Sequence, residues 1–368
     1  MTTSLVDRAR ALVPSPESRP RIALALAIGT TGGFCATWAG LPLPWMLGPM
    51  GLCAVAALAG APLEGPAAWR AIFIPVIGVM LGAGFSPDIL GQLGAWAGTF
   101  VLLPPFLAIA GAAAWLFFRR IGGYDRRTAF FCAAPGGLNE MIILGAAHGA
   151  DERRIALAHA VRIFVVITVI ALGFALIGGT TTAGLDTADT YFSDLTALDA
   201  LLLLAAAIAG GPLARLGRLP APPLFGPMVL SAALHLTAVV ETPPPTLLVI
   251  IAQLMIGTIL GCRFVGARLS ETGRDIALGA GASLVLVAVT LVFAALAAAL
   301  TTAPWSQAVL AYAPGGLTEM SLLALAKEQD VAYVATAHVA RIMVVLFAVP
   351  IIFRRFDRAE SDNDMPPD

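Results

Sequence analysis

The chain has 368 residues, of which 58% are hydrophobic and 12% charged, with a mean hydropathy of +0.87 and a net charge of −1. That composition leaves too little polar surface to cover a water-soluble globule of this length, and it excludes the soluble-enzyme classes. The 22 basic residues, arginine throughout except for Lys327, fall in short clusters between apolar runs, which excludes a nucleic-acid patch.

In chain order, residues 1–20 form a basic tail carrying Arg8, Arg10 and Arg19. The apolar run that starts at Ile22 continues through GTTGGFCATWAG without a cleavage site, so it reads as a first membrane helix and not a secretory signal. A first membrane repeat over 21–178 holds apolar segments at 22–40, 42–60, 70–86, 95–118, 129–148 and 155–178. An acidic linker over 179–196, GTTTAGLDTADTYFSDLT, lacks Lys and Arg and is rich in turn-forming residues. A second membrane repeat over 197–353 has segments at 197–213, 222–240, 246–263, 276–301, 308–326 and 331–353, and a charged tail follows over 354–368. Cys35, Cys53, Cys132 and Cys262 lie within or beside apolar segments without metal-ligand spacing, and read as small packing residues.

The two halves repeat one another. APGGLNEM at 134–141 recurs as APGGLTEM at 313–320, and AHAVRIFVV at 158–166 recurs as AHVARIMVV at 337–345, both at an offset of 179. LGPM at 47–50 answers to FGPM at 225–228, and Gly78, Gly82 and Phe85 answer to Gly257, Gly261 and Phe264. The fold expected is all-α and polytopic, built from two homologous units of about 180 residues.

The positive-inside rule selects their orientation. If each APGG segment enters and leaves on one side, each half has five spans and the second half is inverted. Arg8–Arg21, RRIGGYDRR at 119–127, Arg153, Arg154, Arg215, Arg218, Arg263–Arg274 and RRFDR at 354–358 then all face the cytoplasm. Asp186, Asp189, Asp194 and Asp199 face out, and both termini are cytoplasmic. Parallel twelve-span halves put the acidic linker inside and Arg215 and Arg218 outside, against the rule.

Pro-Gly-Gly in an apolar stretch cannot continue a regular helix, because Pro lacks the amide hydrogen and paired Gly is costly. Non-helical backbone at membrane depth is tolerated only where protein or a water-filled cavity covers it. A re-entrant or broken element at matching places in both halves is the mark of a midplane solute or ion site. Gly136 and Gly137, with Gly315 and Gly316, leave amides at the break, beside the positive end of the helix that restarts. Asn139 and Thr318 offer side-chain oxygens there, and Glu140 and Glu319 sit in the first turn. Arg162 and Arg341, embedded in apolar helices, need a carboxylate or a ligand, and the two glutamates are the natural partners. His159 and His338 precede the arginines by three residues on the same face and are candidate proton carriers, although a structural role is the plainer reading. Close helix packing alone also accounts for the paired glycines.

The duplicated APGG-L-x-E-M block, the AH-x-x-RI-x-VV block, the paired GPM segments and the length together resemble the bacterial AbrB membrane protein family, over essentially 21–353. That resemblance implies an inner-membrane protein linked by name to regulation of gene expression. The family also carries an ammonia monooxygenase label, which the chain does not support, since no clustered His, carboxylate or thiolate set for copper or iron is present. No helix-turn-helix, zinc module or basic domain appears, so direct nucleic-acid binding is not expected. No G-x-x-x-x-G-K-[ST] motif occurs, which disfavours primary pumping. The leading reading is a secondary-transporter-like, non-enzymatic protein that moves a small solute, with anionic solutes favoured, and that affects transcription only indirectly. The alternative is a membrane regulator that senses without transport. The expected partners are the lipid bilayer and an unidentified solute, with homo-oligomerisation left open and no metal or cofactor.

Overall fold

The computed structural model describes residues 13–85, 96–178, 194–217, 219, 221–327 and 329–361. The linker prediction over 179–193, the first part of the N-terminal tail and the end of the C-terminal tail lie outside these residues. Every regular element described is helical: α1 Ser18–Trp38, α2 Pro44–Leu58, α3 Arg70–Ala83, α4 Leu103–Arg120, α5 Arg126–Ala133, α6 Leu138–Ala147 and α7 Glu152–Gly178. There follow α8 Ala197–Leu216, α9 Pro222–Leu236, α10 Thr246–Gly261, α11 Leu269–Leu300, α12 Trp305–Tyr312, α13 Leu317–Ala326 and α14 Val331–Ser361. Short 3-10 turns at Ala67–Trp69 and Cys262–Phe264 flank α3 and α10.

Six of these helices are long and apolar enough to cross a bilayer: Trp96–Arg120, Glu152–Ile177, Ala197–Leu216, Thr246–Phe264, Leu269–Leu300 and Val331–Phe353. Pro44–Leu58, Ala67–Ala83, Pro222–Leu236 and Leu317–Ala326 are apolar but shorter. At 1.5 Å per residue, the 15-residue α2 and α9 are about 22 Å long, short of the roughly 30 Å hydrocarbon core. Large apolar residues stand exposed along the spans, among them Val101, Leu176, Ile208, Val292 and Phe347, and along α1 at Phe34. In water this surface would drive aggregation; a lipid environment covers it. The protein is therefore an all-α, multi-pass membrane protein.

Several described elements recur at the motif offset. α5 and α12 have eight residues each and α6 and α13 have ten each, all displaced by the 179 of the motif offset. α2 and α9 are both preceded by a non-glycine residue in the left-handed region, Leu43 (φ 48°) and Ala221 (φ 42°), with proline at the first helical position. Such a conformation costs about 1–2 kcal/mol, so surrounding packing must impose it in both places.

The halves also interlock. α3 packs on α9 and α10 packs on α2. A Cβ placed at Gly82 would lie 2.6 Å from the Cβ of Ser231, and one at Gly261 would lie 2.6 Å from the Cβ of Cys53. Gly78 and Gly257 likewise face backbone carbonyls, of Leu224 and Met46. The repeated G-x-x-x-G pairs therefore let backbones of opposite halves approach, as small residues do in membrane bundles. Elsewhere the core is aromatic: Phe106 of α4 meets Phe293 of α11 at 5.5 Å and Tyr312 of α12 at 5.2 Å, and the Tyr312 hydroxyl donates to the Thr99 carbonyl at 2.6 Å.

Candidate functional site

The chain breaks where the Pro-Gly-Gly segments stand. α5 ends at Ala133, and Ala134, forced off the helical region by Pro135, turns out at φ −59°, ψ 125°. α6 restarts after Gly137, whose backbone is extended at φ −67°, ψ 143°. The second copy repeats this, with Ala313 at φ −51°, ψ 129° and Gly316 at φ −76°, ψ 148°. With 8 and 10 residues, the arms are about 12 and 15 Å long, so neither crosses a bilayer alone.

Breaking a helix orphans carbonyls at its C-terminal end. Arg162 of α7 takes up the C-cap carbonyl of Ala134, donating from Nη1 at 3.0 Å, and a carbonyl of the break itself, Gly136, donating from Nη2 at 3.2 Å. Arg341 of α14 does the same in the second copy, to the carbonyls of Ala313 and, at 2.8 Å, Gly315. The guanidinium fork thus caps the negative end of each short helix, where a cation is favoured. The expected pairing of Arg162 and Arg341 with Glu140 and Glu319 is replaced by this contact. Among the described residues no carboxylate pairs with either guanidinium.

Each glutamate folds back over its own helix start instead. A Cβ at Gly137 would lie 2.9 Å from the Glu140 carboxyl carbon, and one at Gly316 would lie 2.7 Å from that of Glu319. A carboxylate there meets the positive end of α6 or α13, so the helix termini expected to be open to a solute already face an internal anion. The first glycine of each pair, Gly136 or Gly315, leaves room for the end of Met141 or Met320, whose Cε atoms would stand 2.8 and 2.9 Å from an added Cβ. Pro therefore breaks the helix, the first Gly admits the Met, the second admits the Glu, and the Arg on the following long helix satisfies the carbonyls.

His159 and His338 are fully buried. A ring nitrogen facing a carbonyl must be the protonated one, so His159 donates from Nδ1 to Ile155 at 2.9 Å, within its own helix. His338 donates from Nε2 to Leu310 of α12, also at 2.9 Å. The other nitrogen of each ring is buried without a hydrogen-bond partner. Neither histidine lines the cavity described next. Asn139 falls in the first turn of α6, and its side chain is outside the described set.

Both breaks border one cavity of about 250 Å³. It is lined by Gly136, Gly137 and Glu140, by Gly315, Gly316, Thr318 and Glu319, by Arg162 and Arg341, and by aliphatic walls that include Ile74, Ile163, Ile256 and Ile342. Two further arginines, Arg70 at the start of α3 and Arg263 just after α10, also line it. Four guanidinium groups thus face two carboxylates. Arg70 and Arg263 escaped the sequence comparison because each occurs in one half only; their counterparts at the motif offset are Val249 and Gly84. The signal available was an arginine at the end of each G-x-x-x-G helix, two elements that the fold packs together.

A wider cavity of about 550 Å³ shares Arg70, Leu138, Ile259 and Arg263 with the central one. It runs past Ala156, Leu157, Ala160 and Cys262 to Arg153, Gly266 and Thr272, in the Arg-rich loops. Cys262, read from sequence as a packing residue, therefore lines this vestibule, beside the buried Cys53. No group of three or more His, Cys, Asp or Glu placed to hold a metal ion occurs among the described residues.

Residues 9–357 match the family described as transition state regulatory protein AbrB. "Uncharacterized protein YhjN" of Bacillus subtilis (strain 168) is 27% identical over 354 residues, covering 89% of this chain and 91% of that protein. "Putative regulator AbrB" of Escherichia coli (strain K12) is 25% identical over 321 residues, covering 85% and 90%.

Proposed function

Starting from the fact that this chain belongs to the AbrB family, we propose that it is a secondary-transporter-like protein of the bacterial inner membrane that binds a small anionic solute in the central cavity and moves it across the bilayer. The observation that carries this reading is the convergence of both broken elements and four arginines on one cavity of about 250 Å³. Arg162 and Arg341 are buried and Arg263 is partly so, while Arg70 is exposed at the mouth; a buried positive charge is costly, and a bound anion offsets it. Broken elements from two halves meeting at one site are the usual architecture of such carriers.

In this reading the halves are inverted repeats, the Arg-rich loops and both termini lie in the cytoplasm, and the vestibule opens to that side. Outward release follows when the second half adopts the open arrangement of the first. Arg162 and Arg341 hold the two breaks in shape, with His338 tied to α12, while Glu140 and Glu319 lie over the starts of the restarted helices and exchange that position for contact with solute or protons. The name of the Escherichia coli relative favours a part in regulation. A carrier supplies one indirectly by setting the cytoplasmic level of its solute, and a sensor without flux is the rival.

The test is a thermal-unfolding screen of the full-length purified protein against small carboxylates, phosphate and sulfate, followed by counterflow of any stabilising anion in proteoliposomes. A ligand at a hundred times its Kd stabilises by about 2.7 kcal/mol, a resolvable shift. Binding with counterflow supports the carrier, binding without counterflow favours the sensor, and no stabilisation by any anion removes both.

A further inference from the structure

The four arginines of the central cavity are not equivalent. Arg162 and Arg341 spend their Nη donors on the carbonyls of the two breaks. Neither Arg70, which is exposed, nor Arg263, which is half-buried, makes a hydrogen bond or ion pair with a described residue, and Nη1 of Arg263 is buried without a partner among them. The charges that act on Arg263 are Arg70, of like sign, and Glu319, of opposite sign. Two uncommitted guanidinium groups that repel each other at the neck between two cavities form a receptor for an anionic group that bridges them.

The rest of the cavity narrows the ligand class. The lining residues carry an excess of two positive charges, four Arg against Glu140 and Glu319, which a dianion balances. Aliphatic side chains also line the cavity, with Ile74, Ile163, Ile256 and Ile342. A compact oxyanion such as phosphate presents no apolar body to those walls. A chain with a carboxylate at each end and a few methylenes between does, and the volume of about 250 Å³ holds no more than a short one. We infer that the solute is a short dicarboxylate, with one carboxylate held between Arg70 and Arg263 and the methylenes against the isoleucines. This inference rests on the anion-carrier reading above and assigns the two arginines a specificity role.

Calorimetric titration of the full-length protein in nanodiscs, at fixed ionic strength, tests it with malonate, succinate and glutarate against butyrate, succinamide and inorganic phosphate. The best diacid should bind at least tenfold tighter than butyrate or phosphate, with no binding of succinamide. Arg70→Gln and Arg263→Gln should each weaken that diacid at least tenfold, whereas Arg268→Gln, an exposed loop arginine paired with Glu271, should not. Unfolding temperatures of the three variants show whether a loss is one of folding, and Arg70→Lys and Arg263→Lys, which keep the charge but not the fork, should bind at an intermediate level. Butyrate or phosphate binding as tightly as the diacids overturns the dicarboxylate assignment and leaves the anion carrier standing. Diacid binding untouched in both Gln variants overturns the role of the arginines. A wild-type protein that binds no anion overturns the carrier reading itself.

Discussion

The two Pro-Gly-Gly breaks share one backbone design and differ in their surroundings. In the first copy Glu140 is exposed, and so are Glu152 and Arg153 at the start of the following long helix. In the second, α13 is buried from Leu317 through Ala324 apart from Thr318, Glu319 is 8% exposed, and Val331 to Ala335 are all buried. Matching positions show the change of chemistry. Arg154 and Asp275 face each other at 3.8 Å, partly in solvent, where their counterparts Tyr333 and Trp96 meet ring to ring at 5.6 Å in the core. The first copy is more open to solvent and adds charge contacts to a packed base that includes Phe131 and Met141; the second is buried and held by packing. A carrier open to one side at a time has this asymmetry at any instant, which is why the comparison bears on function.

The difference can be broken at several points. The largest effect is expected from Arg341→Ala, which leaves the carbonyls of Ala313 and Gly315 without their donor in a buried setting. At about 1–3 kcal/mol per orphaned group, thermal unfolding in detergent should show a loss of several kcal/mol. Arg162→Ala should cost less, because its break borders the open side; equal losses would erase the distinction between open and buried copies. Next comes the pair Tyr333→Ala and Arg154→Ala. The buried ring should cost about 3–5 kcal/mol and the partly solvated ion pair about 1 kcal/mol, by the same measurement.

Gly316→Ala should follow at about 1–3 kcal/mol, since an added methyl displaces the buried Glu319, whereas Gly137→Ala lets Glu140 swing into the cavity at smaller cost. If Gly137→Ala is the more damaging, the carboxylates do not cap as described. The smallest effect concerns Asp125, which caps α5 by accepting from the Thr128 amide at 2.8 Å; its counterpart position, Pro304, provides no side-chain cap. Burial pushes the Asp125 carboxyl up, but hydrogen bonds from Thr128 and neighbouring amides outweigh it and hold the group below its usual value of 3.8. A depressed carboxylate stabilises the fold above its unfolded pKa and loses that contribution as pH falls. Asp125→Ala should therefore cost about 1 kcal/mol at neutral pH, with the gap from wild type closing below about pH 3.8. A gap independent of pH contradicts the charged cap.

Much of this was legible in the sequence. Composition alone dictates a membrane protein, and two copies of APGG-L-x-E-M locate the breaks to the residue, because Pro and Gly act on the backbone locally. The importance of Arg162 and Arg341 was legible from burial of a charge, but their partners were not. A search for partners looks for opposite charges, and backbone carbonyls become acceptors only once a helix has ended beside the guanidinium. The fold-back of Glu140 and Glu319 was hidden for a similar reason, since it depends on side-chain direction across an empty Cβ position. Arg70 and Arg263 lie outside the repeated pattern, and only the packing of α3 beside α10 brings them to one neck.

The central claim, one site reached from opposite sides through two equivalent routes, is tested most directly by thiol accessibility. In full-length protein stripped of its four cysteines, a single Cys replaces Ala156 on the vestibule wall or its counterpart Ala335, now fully buried. The account predicts that an impermeant reagent labels Ala156→Cys only from the cytoplasmic side and Ala335→Cys only from the opposite side, and more slowly. Labelling of both from one side, or no labelling of Ala335→Cys from either, contradicts it.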